Sequence, residues 1–408
     1  MTQHDSAPLW KRETSLVHGG RDTYLADSTG TPTVFPIYAS TTFVHESVEA
    51  LDAAFSGSTA TGEPTFVYAR QANPNANALE VSLTKAEGGV GAVAFSSGMA
   101  AIHAALLAAG LSIPGTKVVA SQDMYGPTIG LLRKVFEPVG VEILLCDLCS
   151  PNAASIIQKE QPDVVYVETL SNPLVKLVDL DAISTAAHEA GAVAVVDSTF
   201  TTPYLVRPIE HGFDLVVHSA TKYIGGHGDS TGGIVISAKN ILLDQLRTYS
   251  TLLGAMLSPF ESHLMLRGLR TLPLRMERQC NNAMQIASFL QQHEAVERVY
   301  YLGLTDHPQH TLAMRMLDHE QYGGLLSFDL KEQTREAVFR FIDKLRLCLA
   351  ATTLGDVFSL VSYPALSSHR TLTQAERQQI GITDGCVRLS VGIENVEDIL
   401  QDLDQALK

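Results

Sequence analysis

The sequence predicts a layered α/β protein: a large domain on a mostly parallel sheet, a smaller α+β domain after it, and an extended arm before both. Three observations carry this. From about Asn73, short apolar runs alternate with helical stretches: "GAVAFSS", "KVVAS", "VEILLCD", "PDVVYVE", "AVAVVDS" and "DLVVHS" are separated by pieces such as "GMAAIHAALLAAG" and "DLDAISTAAHEAG". Continuous β-rich runs, rather than strict alternation, mark strands buried on both faces, as in a parallel sheet covered by helices. After about Arg270 the pattern shifts to amphipathic helix ("QCNNAMQIASFLQQHEAV") and shorter strands ("GGLLSFDL", "VRLSVGI"), as in a second domain closing on the first. Residues 1–72 are rich in Thr, Ser, Pro and Gly, with no long periodic segment before "VEALDAAF". The expected division is therefore 1–72, 73–270 and 271–408.

Composition narrows the function. The 408 residues exceed the roughly 200 to 250 of one layered domain and leave room for a deep site. A charged fraction of 18% leaves little charged surface, which hints at burial between subunits. A net charge of −15 without a lysine or arginine run argues against nucleic acid and anionic membranes as partners, because either needs a basic patch. No segment approaches the roughly 18 apolar residues of a membrane span, and the first residues lack a signal-peptide core, so a soluble cytoplasmic protein is expected. Five cysteines fit reduced thiols rather than a disulfide framework. Cys146 and Cys149 form a CxxC, but no second pair completes a zinc site, and "VEILL" before them reads as a buried strand entering a loop.

In an open α/β sheet, function gathers at the carboxyl ends of the strands. Glu168 and Asn172 follow "PDVVYV", Asp197 ends "AVAVV", and Ser219, Thr221 and Lys222 follow "DLVVH". A buried aspartate needs a partner. Lys222, one strand later, could supply a plain ion pair. Alternatively a cofactor lies between them, the carboxylate pairing a protonated pyridine nitrogen and the amine joining an aldehyde, as pyridoxal phosphate requires. Its phosphate would find donors where "AFSSGMAAI" turns from strand into helix, and in the hydroxyls of Ser219 and Thr221. His218 and His227 lack a clustered third ligand, so no metal is expected.

The chain resembles the Cys/Met-metabolism family of pyridoxal-phosphate enzymes, which includes cystathionine γ-synthase, cystathionine γ-lyase, methionine γ-lyase and the O-acetylhomoserine sulfhydrylases. The matching pieces run in order across nearly the whole chain: "FVYARQANP", "AFSSGMAAI", "YGPT", "VYVETLSNP", "VVDSTFTTPY", "HSATKYIGGHGD", "LSPFESHLMLRGLRTLPLRM" and "VRLSVGIE". The resemblance implies an aspartate-aminotransferase-like (fold type I) large domain and pyridoxal 5′-phosphate as cofactor. It implies that Lys222 bonds the cofactor and then shuttles protons, Asp197 pairs the pyridinium nitrogen, and Asn172 lies near the phenolic oxygen. Tyr125 would stack on the ring and act as acid and base; Gly98, Met99, Ser219 and Thr221 would bind the phosphate. Arg388 would grip the substrate α-carboxylate, with Asn172, Ser359, Val67 and Phe358 completing the substrate side. Tyr68 and Arg70 would reach the phosphate of a neighbouring subunit, so that 1–72 completes the partner's site and 271–408 carries the substrate carboxylate. A homotetramer, as a dimer of dimers, is implied with it.

Members of the family act on small amino-acid substrates at the γ-carbon. Val67 and Phe358 stand where cystathionine lyases commonly carry acidic residues, and Gly130 where they carry an arginine. Pro127 replaces the cysteine of methionine γ-lyases, and Ser250-Thr251 their lysine-aspartate pair. The expected activity is therefore elimination of an apolar or unusual γ-substituent, from methionine, an O-substituted homoserine or a relative such as canavanine. γ-Replacement, as in a sulfhydrylase or synthase, is the alternative; a non-catalytic binding scaffold is a second, opposed by intact Lys222, Asp197, Tyr125 and Arg388.

Overall fold

The computed structural model describes residues 11–23, 32–56, 65–370 and 372–408. The expected arm lies partly outside these. Within them it contains a six-residue helix, α1 (Arg12–Val17), and a longer one, α2 (Val48–Phe55), capped by Ser47, whose side chain accepts from the Ala50 N–H. Leu16 of α1 is buried, and the helix packs on α3 (Pro74–Glu87). Between α2 and α3 the Ala69 N–H donates to Thr41 O at 2.8 Å, and the segment before α2 is tied to α3 by Asn75, which accepts the Tyr38 N–H at 2.8 Å and donates to Pro36 O at 2.8 Å.

The large sheet has seven strands: β1 (Gly91–Phe95), β2 (Lys117–Ser121), β3 (Glu142–Cys146), β4 (Val164–Glu168), β5 (Val193–Asp197), β6 (Leu215–His218) and β7 (Gly233–Ser237). Their order is β1-β7-β6-β5-β4-β2-β3, parallel except for β7, which is antiparallel to both neighbours. The six runs expected as strands all form. β7, "GIVIS", was not among those runs; it is a wholly buried strand inside the sheet. β3 departs from expectation in the other direction: it is the edge strand, only partly covered, because no strand lies beyond it.

Alternation along the buried strands feeds two cores. Val165, Val167, Val196 and Val216 face α3 and the helix Leu180–Glu189 on one side. Tyr166, Val195, Leu215 and Val217 face α4 (Gly98–Ala108) and the helix Asn240–Leu253 on the other. The helices thus follow from the double-sided burial read in the sequence.

The second sheet is β10 (Leu349–Ala350), β11 (Leu360–Ser362), β12 (Cys386–Ser390), β9 (Leu325–Leu330) and β8 (Val296–Tyr300), in that order, antiparallel except for β10 on β11. β9 and β12 are the expected "LLSFDL" and "VRLSV" runs. A third core, with Phe328, Phe341, Val387, Leu389, Ile399 and Leu403, lies under it. The helix Leu272–Gln292 spans both bodies: Leu272, Met276 and Cys280 join a large-domain core, Ile286 and Leu290 the small-domain core. None of the described helices is long and apolar enough to cross a membrane. All five cysteines are free thiols.

Candidate active site

A cavity of about 760 Å³ opens at the carboxyl ends of the large sheet, closed on its far side by the loop before β11 and by β12. Nine expected site residues line it: Gly98, Met99, Tyr125, Asn172, Asp197, Ser219, Thr221, Lys222 and Arg388.

At the end of β1, Ser97 caps α4, its hydroxyl accepting from the Ala100 N–H at 3.1 Å. Gly98 and Met99 then open the helix with backbone N–H groups that have no helical partner, at the positive end of the helix dipole. The loop after β6 meets them closely: a Cβ on Gly98 would lie 2.7 Å from Ser219 Oγ, so only glycine admits the contact. Ser219 N–H donates to Thr199 Oγ1 at 2.8 Å. The Thr221 hydroxyl accepts from Gly232 N–H at 3.0 Å, which ties the lysine loop to the entrance of β7.

Lys222 Nζ donates to Thr353 Oγ1 at 2.9 Å. Burial lowers its pKa from the ordinary lysine value, and the nearby Arg388 charge lowers it further. That favours the free amine, the form that attacks an aldehyde. The loop carrying it is clamped from below by Arg275, only 4% exposed, whose guanidinium donates to Tyr223 O (2.6 Å), Ile224 O (3.3 Å) and Gly268 O (2.8 Å). Gly226 passes over that guanidinium with φ of +70°, and a Cβ there would stand 2.1 Å from Arg275 Nη1. Gly226→Ala is therefore expected to destabilise the fold by about 2 to 4 kcal/mol through left-handed strain and displacement of a buried cation. A shift in the denaturant midpoint with loss of cofactor retention checks it.

Asp197 ends β5 with Oδ1 accepting the Thr199 N–H at 2.9 Å. Burial raises its pKa, opposed by that hydrogen bonding. Glu168, directly opposite on β4, lines the same cavity and accepts the Tyr125 N–H at 2.6 Å. Tyr125 itself is half-exposed at the start of α5 (Gly126–Leu131).

Arg388 is 3% exposed on β12. It donates from Nη1 to Asn172 Oδ1 at 3.2 Å and from Nη2 to the carbonyls of Thr352 (3.3 Å) and Thr353 (3.1 Å), while Nε is left without a partner. Among the described residues no carboxylate forms an ion pair with it. Its pKa is lowered to about 10 by burial. A buried guanidinium without a counter-ion is costly and waits for an anion.

The other expected residues lie outside the cavity. Tyr68 and Arg70 lie together, the guanidinium 5.7 Å from the ring centroid, with Arg70 Nη1 donating to Thr251 O at 2.8 Å. Val67 sits beside them, and Phe358 is half-exposed. Ser359 is fully buried and its hydroxyl is occupied, donating to Glu394 Oε2 at 3.0 Å and accepting from Gly392 N–H at 3.0 Å; in this chain it faces Glu394 rather than the cavity. Sequence reasoning gave no role to Thr353, Arg275 or Glu168 and did not consider His369, which is buried on the cavity wall, its pKa lowered to about 4 by burial and by Arg388. Their partners lie far away in sequence, so no local pattern marks them. Burial pushes the Cys146 thiol up to about 11 and Cys149 higher still, which disfavours the thiolate at both.

Known proteins resemble this chain over nearly its full length. The profile of the Cys/Met metabolism PLP-dependent enzymes matches residues 13–408. The chain belongs to that family. L-methionine gamma-lyase of Fusobacterium nucleatum subsp. polymorphum is 40% identical over 97% of both chains, and cystathionine gamma-lyase of Bacillus subtilis is 40% identical over 98% of this chain and 99% of that one. Among solved structures, cystathionine gamma synthase of Xanthomonas oryzae pv. oryzae superposes with a TM-score of 0.88 at 37% identity, covering 98% of each chain. As a Cys/Met metabolism enzyme the protein uses pyridoxal phosphate, has the fold type I architecture expected of it, and acts in amino-acid metabolism. The cavity fits that cofactor. It offers a lysine amine biased to its free form, a strand-end carboxylate, a flat aromatic wall, and a helix N-terminus with a serine hydroxyl beside it for the phosphate.

Proposed function

We propose that the protein removes the γ-substituent of an amino acid, releasing a 2-oxo acid and ammonia, with methionine, an O-substituted homoserine or a relative such as canavanine as substrate. The observation that carries this is Arg388, a buried guanidinium with no acidic partner among the described residues, placed between Asn172 and the carbonyls beside Lys222. An α-carboxylate supplies the missing anion through a two-pronged contact, and this fixes the substrate's α-carbon near the lysine.

Pyridoxal phosphate, when bound, supplies an aldehyde carbon and a ring that withdraws electrons from the substrate's α- and β-carbons. The chain's residues do the rest. Gly98, Met99, Ser219 and Thr221 would hold the phosphate, with the Thr221 hydroxyl also tied to Gly232 and Ser97 capping the helix whose N–H groups face it. Asp197 would pair with the cofactor's pyridine nitrogen and Asn172 would lie near its phenolic oxygen, while Asn172 also accepts from Arg388. The amine of Lys222, hydrogen-bonded to Thr353 Oγ1, takes the α-proton and moves it along the substrate. Tyr125, which lines the same cavity, is the second acid and base. Gly130 leaves open space on the cavity wall, since a Cβ there would meet nothing within 4 Å; it carries no charge where cystathionine lyases have an arginine, while Arg133 and Lys134 line the cavity beyond it. Tyr68 and Arg70, turned away from their own cavity, serve the site of a second copy, and pairs of such dimers form a tetramer.

The test is a substrate panel. Purified holoenzyme is given methionine, O-acetylhomoserine, canavanine and cystathionine separately, with 2-oxobutyrate, homoserine and ammonia as readouts. Turnover of one of the first three supports the proposal; exclusive turnover of cystathionine contradicts it. The likeness to cystathionine gamma synthase favours a second reading, γ-replacement, in which product appears only when a thiol is added.

A further inference from the structure

We propose that Glu168 is a positioning residue that carries its own proton, leaving Asp197 as the single anion of the strand-end pair while its other oxygen anchors Tyr125; this rests on the roles of Asp197 and Tyr125 given above. The two carboxyls end adjacent parallel strands in direct register. Side chains so paired lie on one face, about 5 Å apart, and both line the cavity. Two buried carboxylates at that spacing do not both ionise, so the pair shares one charge.

The surroundings decide where the charge sits. Asp197 accepts the Thr199 N–H at 2.9 Å and feels the His218 side. Glu168, 7% exposed, has one donor among the described residues, the Tyr125 N–H at 2.6 Å. The charges facing it from neighbouring elements are acidic: Asp197 on β5, and Asp123 beyond β2, the latter matched by Lys176 Nζ at 2.9 Å. Tyr166, two residues back on β4, is a neutral phenol whose own ionisation these carboxyls oppose. Burial and the charge of Asp197 push Glu168 well above the ordinary carboxylate range. A protonated carboxyl still accepts through its carbonyl oxygen, so the tie to Tyr125 survives. The start of α5, which has no side-chain cap of its own, is thereby pinned to the strand end that neighbours the ring's partner.

Glu168→Gln and Glu168→Ala separate these roles. Glutamine is neutral and keeps the acceptor, so in the holoenzyme it is expected to hold kcat within about threefold on whichever substrate the wild type turns over. Alanine removes the anchor and is expected to lower kcat about 10- to 100-fold with KM changed less, the pattern of a displaced acid and base. A readout on the cofactor-free protein needs no activity. Because the folded value of Glu168 lies above its ordinary 4.5, the folded state keeps a proton that the unfolded chain has released. Its contribution to stability is therefore full at acid pH and is lost as pH rises above the ordinary carboxylate range and through the folded value. The thermal midpoint of Glu168→Gln is expected to gain on wild type steadily between pH 5 and pH 8. Parallel midpoints, or a Gln variant as impaired as the Ala variant, overturn the proposal; if the Ala variant does not fold, the Gln results decide alone. Absence of turnover in wild type on every substrate would count against the γ-elimination reading, and the melting comparison would still decide the protonation of Glu168.

Discussion

Lys222→Ala is expected to lower turnover by about 10³-fold or more, because it removes both the amine that bonds the cofactor and the base that moves the α-proton. The fold should survive. Among the described residues the only hydrogen bond of Lys222 Nζ is to Thr353 Oγ1, and burial lowers the pKa of its amine. The purified variant is therefore expected to melt near wild type, to bind cofactor without a covalent bond, and to show no lysine linkage after borohydride treatment. Residual activity within tenfold of wild type would remove Lys222 from the chemistry.

Arg388→Leu separates binding from folding. Truncating one partner of a buried charge pair costs about 2 to 5 kcal/mol, so kcat/KM is expected to fall about 10²- to 10³-fold once the α-carboxylate loses its anchor. Stability should move the other way or not at all. In the substrate-free protein the guanidinium is buried without a counter-ion among the described residues, and a shorter apolar side chain relieves that desolvation while giving up hydrogen bonds to Asn172, Thr352 and Thr353. Steady-state kinetics with a melting curve on the same sample checks both halves. A variant that unfolds, or one with unchanged kcat/KM, contradicts the assignment of Arg388 as the carboxylate site.

Much of the site was legible because it hangs on strand ends. Runs such as "PDVVYVE" and "AVAVVDS" announce strands buried on both faces, and their last residues, Glu168 and Asp197, must then lie at one edge. Composition does not say which run lies at the rim: β3 has the apolar content of an interior strand and sits at the edge, a fact fixed by pairing order alone. β7 was hidden for a different reason. "GIVIS" follows the glycine- and serine-rich stretch after Lys222, which reads as loop, and it runs against its neighbours, so it breaks the strand-helix alternation that revealed the others. Arg275 and Thr353 act on the lysine loop across separations of 52 and 131 residues, and such contacts leave no local periodicity. Ser359 illustrates the converse. The family resemblance implies a substrate contact for it, whereas Glu394, 35 residues away, takes its hydroxyl.

The most direct test of the account is a single incubation of the holoenzyme with O-acetylhomoserine or methionine in D₂O with no thiol present, followed by NMR of the product. Elimination at the γ-carbon, with Lys222 and Tyr125 moving protons along the substrate, predicts 2-oxobutyrate carrying deuterium at both C3 and C4. Absence of any 2-oxo acid until a thiol is added, with a thioether product then replacing it, would contradict it.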